Sequence, residues 1–445
     1  MTDNVSVTAS VILSLSKDAE LVEAGLYGAE SPQALFDETY ENYKQYVNPP
    51  LARVMKVSGS PVEVRAQGCT IWDHNGKAYL DFAGGYGVFT LGHSHPKVIE
   101  AVKAQMELMS LSGKTMFNVV LGRASKRLAE LAPGDLQISF FANSGTEAVE
   151  GAIKLARKAT GRRKIVATHN AYHGKTIGAL SASGRDYFKN SYLPLLADVA
   201  HVDFGATDGL EEVLADAAAF VVEPVQGEGG VNVPPAGYLR AVREICDRAG
   251  ALFIADEVQT GLGRCGMVFG CNRDGVVPDV MTLAKGLSGG IVPVAAYIAR
   301  PSVWNAAYAK DPVMHTSTFG GNELACAAAL AAMDVLVEDG LVENARTRGE
   351  QLLSGAQTLA RRFPTVVKEA RGLGLLVGVE LTNEGYGGWI IPEMVKRGVT
   401  AAWTLNMQRV IRLEPPLVVT ASEVDQALAA LEAGLATAQE KLGAL

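Results

Sequence analysis

The chain has 445 residues, of which 48% are hydrophobic and 47 are glycine, so it can bury a large core with many tight strand-to-helix turns in the two or three domains that this length allows. Its formal net charge of −8 argues against nucleic acid or an anionic membrane as partner, and no apolar stretch approaches the length of a membrane span. Cys69, Cys246, Cys265, Cys271 and Cys326 show no metal-ligand spacing, the pattern expected of a reduced cytoplasmic protein.

In chain order, residues 1–24 carry an apolar patch at Val11-Ile12-Leu13 with no basic region before it, which predicts a loosely ordered arm rather than a signal peptide. Residues 70–81 read as a hairpin, two strand-like runs around a turn centred on Asn75-Gly76. Gly84-Gly85-Tyr86-Gly87-Val88-Phe89 follows as a glycine-rich loop able to line a pocket. From about Val98 to Ala325 strand and helix patterns alternate, which predicts a mainly parallel sheet with helices on both faces. Gln137-Ile138-Ser139-Phe140-Phe141 reads as a strand. Asn143-Ser144-Gly145-Thr146 then leads into a segment with apolar residues at Ala148, Ala152, Leu155 and Ala156, the spacing of a helix face. Such a junction offers an anion free backbone N–H groups and the positive end of the helix dipole, with the Ser144 and Thr146 hydroxyls as further donors. In isolation the same residues are equally an ordinary cap. After the strand-like Ile165-Val166-Ala167, Tyr172 falls at the same sheet edge, placed to stack on a flat ring or to fill the core.

Two further runs carry more. Leu252-Phe253-Ile254-Ala255 ends in Asp256, and Asp279-Val280-Met281-Thr282-Leu283 stops two residues before Lys285. Buried parallel strands of this kind deliver their last side chains to the carboxyl edge, where open α/β sheets bind ligands. An aspartate alone more often caps a turn, and a lysine alone before the glycine-rich 286–290 is usually solvated. Together they match pyridoxal phosphate: an amine to condense with its aldehyde, and an anion that raises the pKa of the ring nitrogen so that the ring stays cationic. Beyond about Ala327 a long helical pattern accompanies strand-like residues 375–380 and 410–413, predicted to pack with the hairpin as a smaller domain. The apolar neighbours Val410, Ile411 and Leu413 place Arg412 on a buried strand rather than in a surface ion pair.

These residues, with Asn143-Ser144-Gly145-Thr146-Glu147-Ala148, Tyr172-His173-Gly174, Glu223-Pro224-Val225-Gln226-Gly227-Glu228-Gly229-Gly230, Asp256-Glu257-Val258-Gln259-Thr260-Gly261 and Thr318-Phe319-Gly320-Gly321-Asn322, resemble the class III (ω-amine) aminotransferases from about Tyr40 to the C-terminus. Pro234-Pro235-Ala236-Gly237-Tyr238-Leu239, Cys326-Ala327-Ala328-Ala329 and Ile411-Arg412-Leu413-Glu414-Pro415-Pro416-Leu417 look most like the putrescine (diamine) enzymes, with ornithine and acetylornithine enzymes as close relatives. The resemblance implies a fold type I α/β protein: residues 1–85 as arm and part of the small domain, 86–326 as the large domain with a mainly parallel seven-stranded sheet, and 327–445 as the rest of the small α+β domain.

The resemblance also implies roles. Gly145 and Thr146 bind the phosphate of pyridoxal phosphate, and Thr318 reaches the phosphate of a neighbouring subunit, hence a homodimer or a tetramer of two dimers. Tyr172 stacks on the ring, with His173 beside it, and Gln259 bonds the ring hydroxyl. Lys285 and Asp256 take the parts given above. Arg412 holds the α-carboxylate of 2-oxoglutarate or glutamate, and Glu228 pairs with it when a carboxylate-free amine is bound. Such exchange suits a guanidinium, which is costly to bury unpaired and grips a carboxylate with its planar fork. Lys114, in Ser112-Gly113-Lys114-Thr115-Met116-Phe117, stands at the entrance where the putrescine pattern has a neutral glutamine, which weighs against a diamine. The expected activity is transfer of a terminal amino group from a diamine or related amine to 2-oxoglutarate or pyruvate. An ω-amino acid, ornithine or acetylornithine is the alternative donor. An aminomutase, a decarboxylase or a non-catalytic binding protein on the same scaffold are remoter readings.

Overall fold

The structure is a computed structural model that describes residues 26–443; the arm expected at 1–24, with its Val11-Ile12-Leu13 patch, lies outside the described residues. The hairpin forms as β1 (Glu63–Gln67), β2 (Thr70–Asp73) and β3 (Ala78–Asp81), all antiparallel, with Thr70 opposite Leu80. Its turn is made by Asp73, whose Oδ1 accepts the N–H of Asn75 (2.8 Å) and of Lys77 (3.0 Å), and by Gly76, whose φ of +77° a side chain rarely adopts.

Seven strands make the central sheet: β4 (Ile138–Ala142), β5 (Lys164–Thr168), β6 (Val199–Val202), β7 (Ala217–Val222), β8 (Leu252–Asp256), β9 (Val280–Leu283) and β10 (Ala295–Ala299). Their order is β4-β10-β9-β8-β7-β5-β6, and β10 alone runs against the rest. The inner strands are apolar without alternation because helices cover both faces. On one side α1 (Gly145–Thr160) buries Val149, Ala152, Ile153 and Ala156 against Val221, Ile254 and Tyr297. On the other, α2 (Tyr238–Ala249) buries Leu239, Val242 and Cys246 with Phe220, Val222 and Phe253. A buried side chain such as Ile153 contributes roughly 1.5–3 kcal/mol. At Gly151 a Cβ would lie 2.3 Å from the Tyr297 ring, so α1 reaches this depth only with glycine there.

The remaining strands are β11 (Val367–Leu373), β12 (Leu376–Leu381), β13 (Val399–Thr400), β14 (Ala402–Trp403) and β15 (Val410–Leu413). β11-β12-β15-β14 form a second, antiparallel sheet, and β13 pairs in parallel with β3, joining the hairpin to the C-terminal part. All five cysteines are free and buried. No helix among the described residues is long and apolar enough to cross a membrane.

Candidate active site

The carboxyl ends of β4, β5, β7, β8 and β9 and the loops after them enclose a cavity of about 410 Å³, with Ser144, Tyr172, Glu223, Asp256, Gln259 and Lys285 among its lining residues. A second groove, of about 370 Å³, lies between Phe36, Tyr40, Met55 and the hairpin. Its lining is apolar and phenolic apart from the Thr39 and Ser60 hydroxyls and the charges of Lys56 and Glu63, with no set of converging acids and bases such as the first cavity holds.

Asp256 closes the floor. It is the last residue of β8, and the parallel register sets it beside Thr282 of β9. Its Oδ1 accepts the Thr282 hydroxyl (2.9 Å) and the Val258 N–H (3.1 Å), and Oδ2 lies 2.6 Å from His173 Nδ1. Burial alone would disfavour a charged His173, but the hydrogen bond and charge of Asp256 outweigh it and raise the imidazole pKa. Glu257, the next residue, points the opposite way and is spent on structure, accepting from Thr260 Oγ1 and the N–H groups of Gly270 and Cys271. Glu223 is the first residue after β7, at the same sheet edge where Asp256 ends β8. It receives the N–H groups of Tyr172 (3.1 Å) and Gly227 (3.4 Å), and burial, with Asp256 as a neighbouring anion, pushes its pKa up to about 7.

Lys285 stands two residues beyond β9 at φ +44°, a left-handed conformation uncommon outside glycine and typical of functional positions. Burial lowers its pKa, with Glu414 and Glu228 the main opposing charges. A lysine kept partly as the free amine can act as nucleophile and base.

The anion cradle is the first turn of α1. Helix geometry leaves its leading N–H groups without intrahelical partners, and the Ser144 Oγ takes only that of Glu147. The Thr146 hydroxyl is engaged with Thr176 Oγ1 (2.7 Å), which in turn donates to Glu150. A side chain at Gly174, whose φ is +134°, would lie 2.3 Å from Thr146 Oγ1, so the 172–174 turn closes on the cradle only with glycine.

Opposite the sheet edge, β15 brings in Arg412, 1% exposed, whose Nη1 lies 2.6 Å from Glu228 Oε1; the Leu405 N–H holds the other Glu228 oxygen at 2.7 Å. Arg412 Nε lies 3.0 Å from Glu414 Oε2, and Tyr86 of the glycine loop stacks on the guanidinium at 5.3 Å. Burial opposes the charge on Arg412, and the two carboxylates overcome that and raise its pKa. Gln259 lines the cavity while its amide donates to both oxygens of Glu414, at 3.2 and 3.0 Å.

Neither Arg412 nor Glu228 is among the residues that line the cavity, and two further expected site residues stand apart from it. Lys114 does not line this cavity: its ammonium donates to the carbonyls of Ser317 and Gly320. Thr318, on the loop so anchored, is exposed and also outside the cavity lining. Glu223, Glu414 and Arg264 had been given no role from sequence. Glu223 carried the signal that revealed Asp256, an acid ending an apolar strand, and Glu414 shares the strand-face periodicity of Arg412 two residues before it.

The family model for aminotransferase class-III matches residues 55–435. The chain belongs to the class III aminotransferases. Solved structures agree. The ornithine aminotransferase of Toxoplasma gondii ME49 is 32% identical with a TM-score of 0.84, over 99% of this chain and 100% of that one. A thermostable (S)-enantioselective ω-transaminase from Thermomicrobium roseum is 32% identical with a TM-score of 0.82, over 89% and 97%. An amine transaminase from an uncultivated Pseudomonas species, solved in its PLP-bound form, is 32% identical with a TM-score of 0.79, over 85% and 95%.

Pyridoxal phosphate is the cofactor of these enzymes, and the residues present in this aminotransferase fit it. Lys285 offers an amine of lowered pKa, Asp256 an anion on the cavity floor, and the first turn of α1 an anion site across the same cavity. Asp256 is held by one hydroxyl, one N–H and one imidazole, the support that a carboxylate facing a ring cation needs.

Proposed function

We propose that this aminotransferase moves the terminal amino group of a carboxylate-free amine, a diamine of the putrescine kind first among them, to 2-oxoglutarate or pyruvate, releasing an aldehyde. The observation that carries this reading is the closed Arg412–Glu228 pair, which presents a neutralised guanidinium to the donor and a carboxylate-binding guanidinium to the oxo acid once Glu228 turns away. Lys114, bound to two carbonyls, sets no ammonium against a second amine inside this chain's own cavity. Ornithine, acetylornithine or an ω-amino acid is the second reading, favoured by the likeness to an ornithine aminotransferase.

In this reading the N–H groups of Gly145 and Thr146 would hold the phosphate, Tyr172 would stack on the ring, His173 would support Asp256, and Gln259 would bond the ring hydroxyl. Pyridoxal phosphate, when bound, supplies the aldehyde that takes up the amino group and the cationic ring that accepts the electron pair of the substrate carbon. The Asp256 carboxylate keeps the proton on the ring nitrogen. The Lys285 amine would be the base that takes the proton from the substrate carbon and holds it for return. Arg412 then grips the oxo acid, and the same groups run the sequence in reverse. Thr318 completes the phosphate site of a second copy, so the working unit is a homodimer or a pair of them, and the cell compartment is the cytoplasm. A panel of diamines, ornithine, acetylornithine and ω-amino acids assayed with each oxo acid tests the proposal. A kcat/KM for ornithine or an ω-amino acid well above that for putrescine would establish the second reading.

A further inference from the structure

Arg264 and Arg412 are both fully buried, and one carboxylate, Glu414, serves both: its Oε2 lies 3.0 Å from Arg412 Nε and its Oε1 3.7 Å from Arg264 Nε. Glu414 itself has no exposed surface and is gripped on every side. Its N–H donates to Phe82 O (2.8 Å), and Gln259 donates to both oxygens. The glycine loop seals it in. A Cβ on Gly84 would lie 1.9 Å from the Glu414 carbonyl oxygen and one on Gly87 2.6 Å from Oε1, at positive φ in both cases. The side chain of Glu228, the other acid on Arg412, is held by Arg412 and the Leu405 N–H, and its carbonyl accepts the Asn406 N–H (2.9 Å), on a segment between Gly227 and Gly229-Gly230. Arg264 adds no flexibility, since its Nη1 donates to the carbonyls of Leu375 and Pro415.

We propose that Glu414 is the fixed counter-ion of both buried guanidiniums and so determines that this site exchanges a single carboxylate, Glu228 in one half-reaction and that of the oxo acid in the other. The inference rests on reading Arg412 as the carboxylate-binding arginine. Among Arg264, Arg412 and Glu414 alone, two guanidiniums less one fixed carboxylate leave one positive charge to be matched. An acid held as Glu414 is cannot leave, and an acid on a glycine-flanked segment can. Without Glu414 the incoming carboxylate would meet two unmatched cations and be held too tightly for an enzyme that must release its amino acid product on every cycle.

The test is binding of glutarate, a dicarboxylate with no keto group to react, to the cofactor-loaded enzyme, followed by calorimetry. E414Q keeps one oxygen to accept from Gln259 and removes the charge, while its NH₂ turns towards a guanidinium N–H; it should bind glutarate about tenfold tighter or more, about 1.4 kcal/mol. R264Q leaves Glu414 to balance Arg412 alone and should bind glutarate about tenfold more weakly. The double variant E414Q/R264Q restores the charge count and should return to within about threefold of the wild type. If Glu414 only shapes the pocket, E414Q, R264Q and the double variant all bind more weakly, and the proposal is overturned; R264Q and the double variant decide it alone if E414Q does not fold. Loss of glutarate binding in R412A is expected, and unaltered binding there would remove the reading of Arg412 instead.

Discussion

Replacing Asp256 with asparagine isolates a single charge. The Val258 N–H can only donate, so the amide oxygen must stay where Oδ1 accepts it and the Thr282 hydroxyl, and the amide NH₂ falls opposite His173 Nδ1, where the carboxylate stood at 2.6 Å. An amide N–H facing Nδ1 suits only the neutral imidazole, so the floor of the site loses the anion and, with it, the partner that raises the His173 pKa. Losing one member of a buried pair costs about 3–5 kcal/mol, and at about 1.36 kcal/mol per tenfold the first half-reaction should slow on the order of 10²–10³-fold. Single-turnover decay of the visible cofactor band on mixing with an amine measures it. Because the two bonds to Oδ1 survive, D256N without cofactor should melt close to the wild type. A near-normal rate refutes the charge argument, and a lowered melting temperature with an equal loss in D256A would make Asp256 a structural residue.

K285A should lose the covalent attachment point and the base together; positioned proton transfer alone contributes roughly 10²–10⁴-fold, and borohydride reduction of the wild type followed by peptide mapping should find the cofactor on Lys285 and nowhere else. R412A should cripple the half-reaction with 2-oxoglutarate and leave that with a carboxylate-free amine largely intact; equal losses in both would show Arg412 to be scaffold. Glu223 makes a pH prediction. Its folded pKa of about 7 lies above the ordinary 4.5, so its stabilising protonated state is fully present below pH 4.5 and lost as pH rises through about 7, a loss of up to about 3 kcal/mol. Denaturation between pH 5 and 8 should show that decline in the wild type and less of it in E223Q; parallel profiles would mean that Glu223 is already ionised at pH 5.

Strand-end residues were legible because an apolar run states both its own burial and where it stops. The runs expected at 252–255, 279–283 and 410–413 form β8, β9 and β15, with Asp256, Lys285 and Arg412 where the pattern put them. The mainly parallel sheet was legible in the alternation of strand and helix patterns, and its seven strands in the family resemblance. What sequence could not show is which acid meets which base. Glu414 and Arg264 are far apart in the chain and acquire meaning only when β15 folds over the 257–264 turn. Lys114 was read as an entrance residue because its neighbours matched a motif, yet a long flexible stem can turn to any nearby acceptor, here two carbonyls.

The pairing of Asp256 with Thr282 across β8 and β9 has a consequence for how this protein can vary. A strand's side chains alternate between faces, so a slip of one residue would swing Asp256 out and bring Glu257 in, together with the turn that Glu257 ties down. The distance between amine and counter-ion is therefore written into a ladder of main-chain hydrogen bonds, indifferent to the identity of most side chains nearby. Mutations that recontour the mouth of the cavity for a new amine can accumulate on the loops while the chemistry beneath them keeps its alignment.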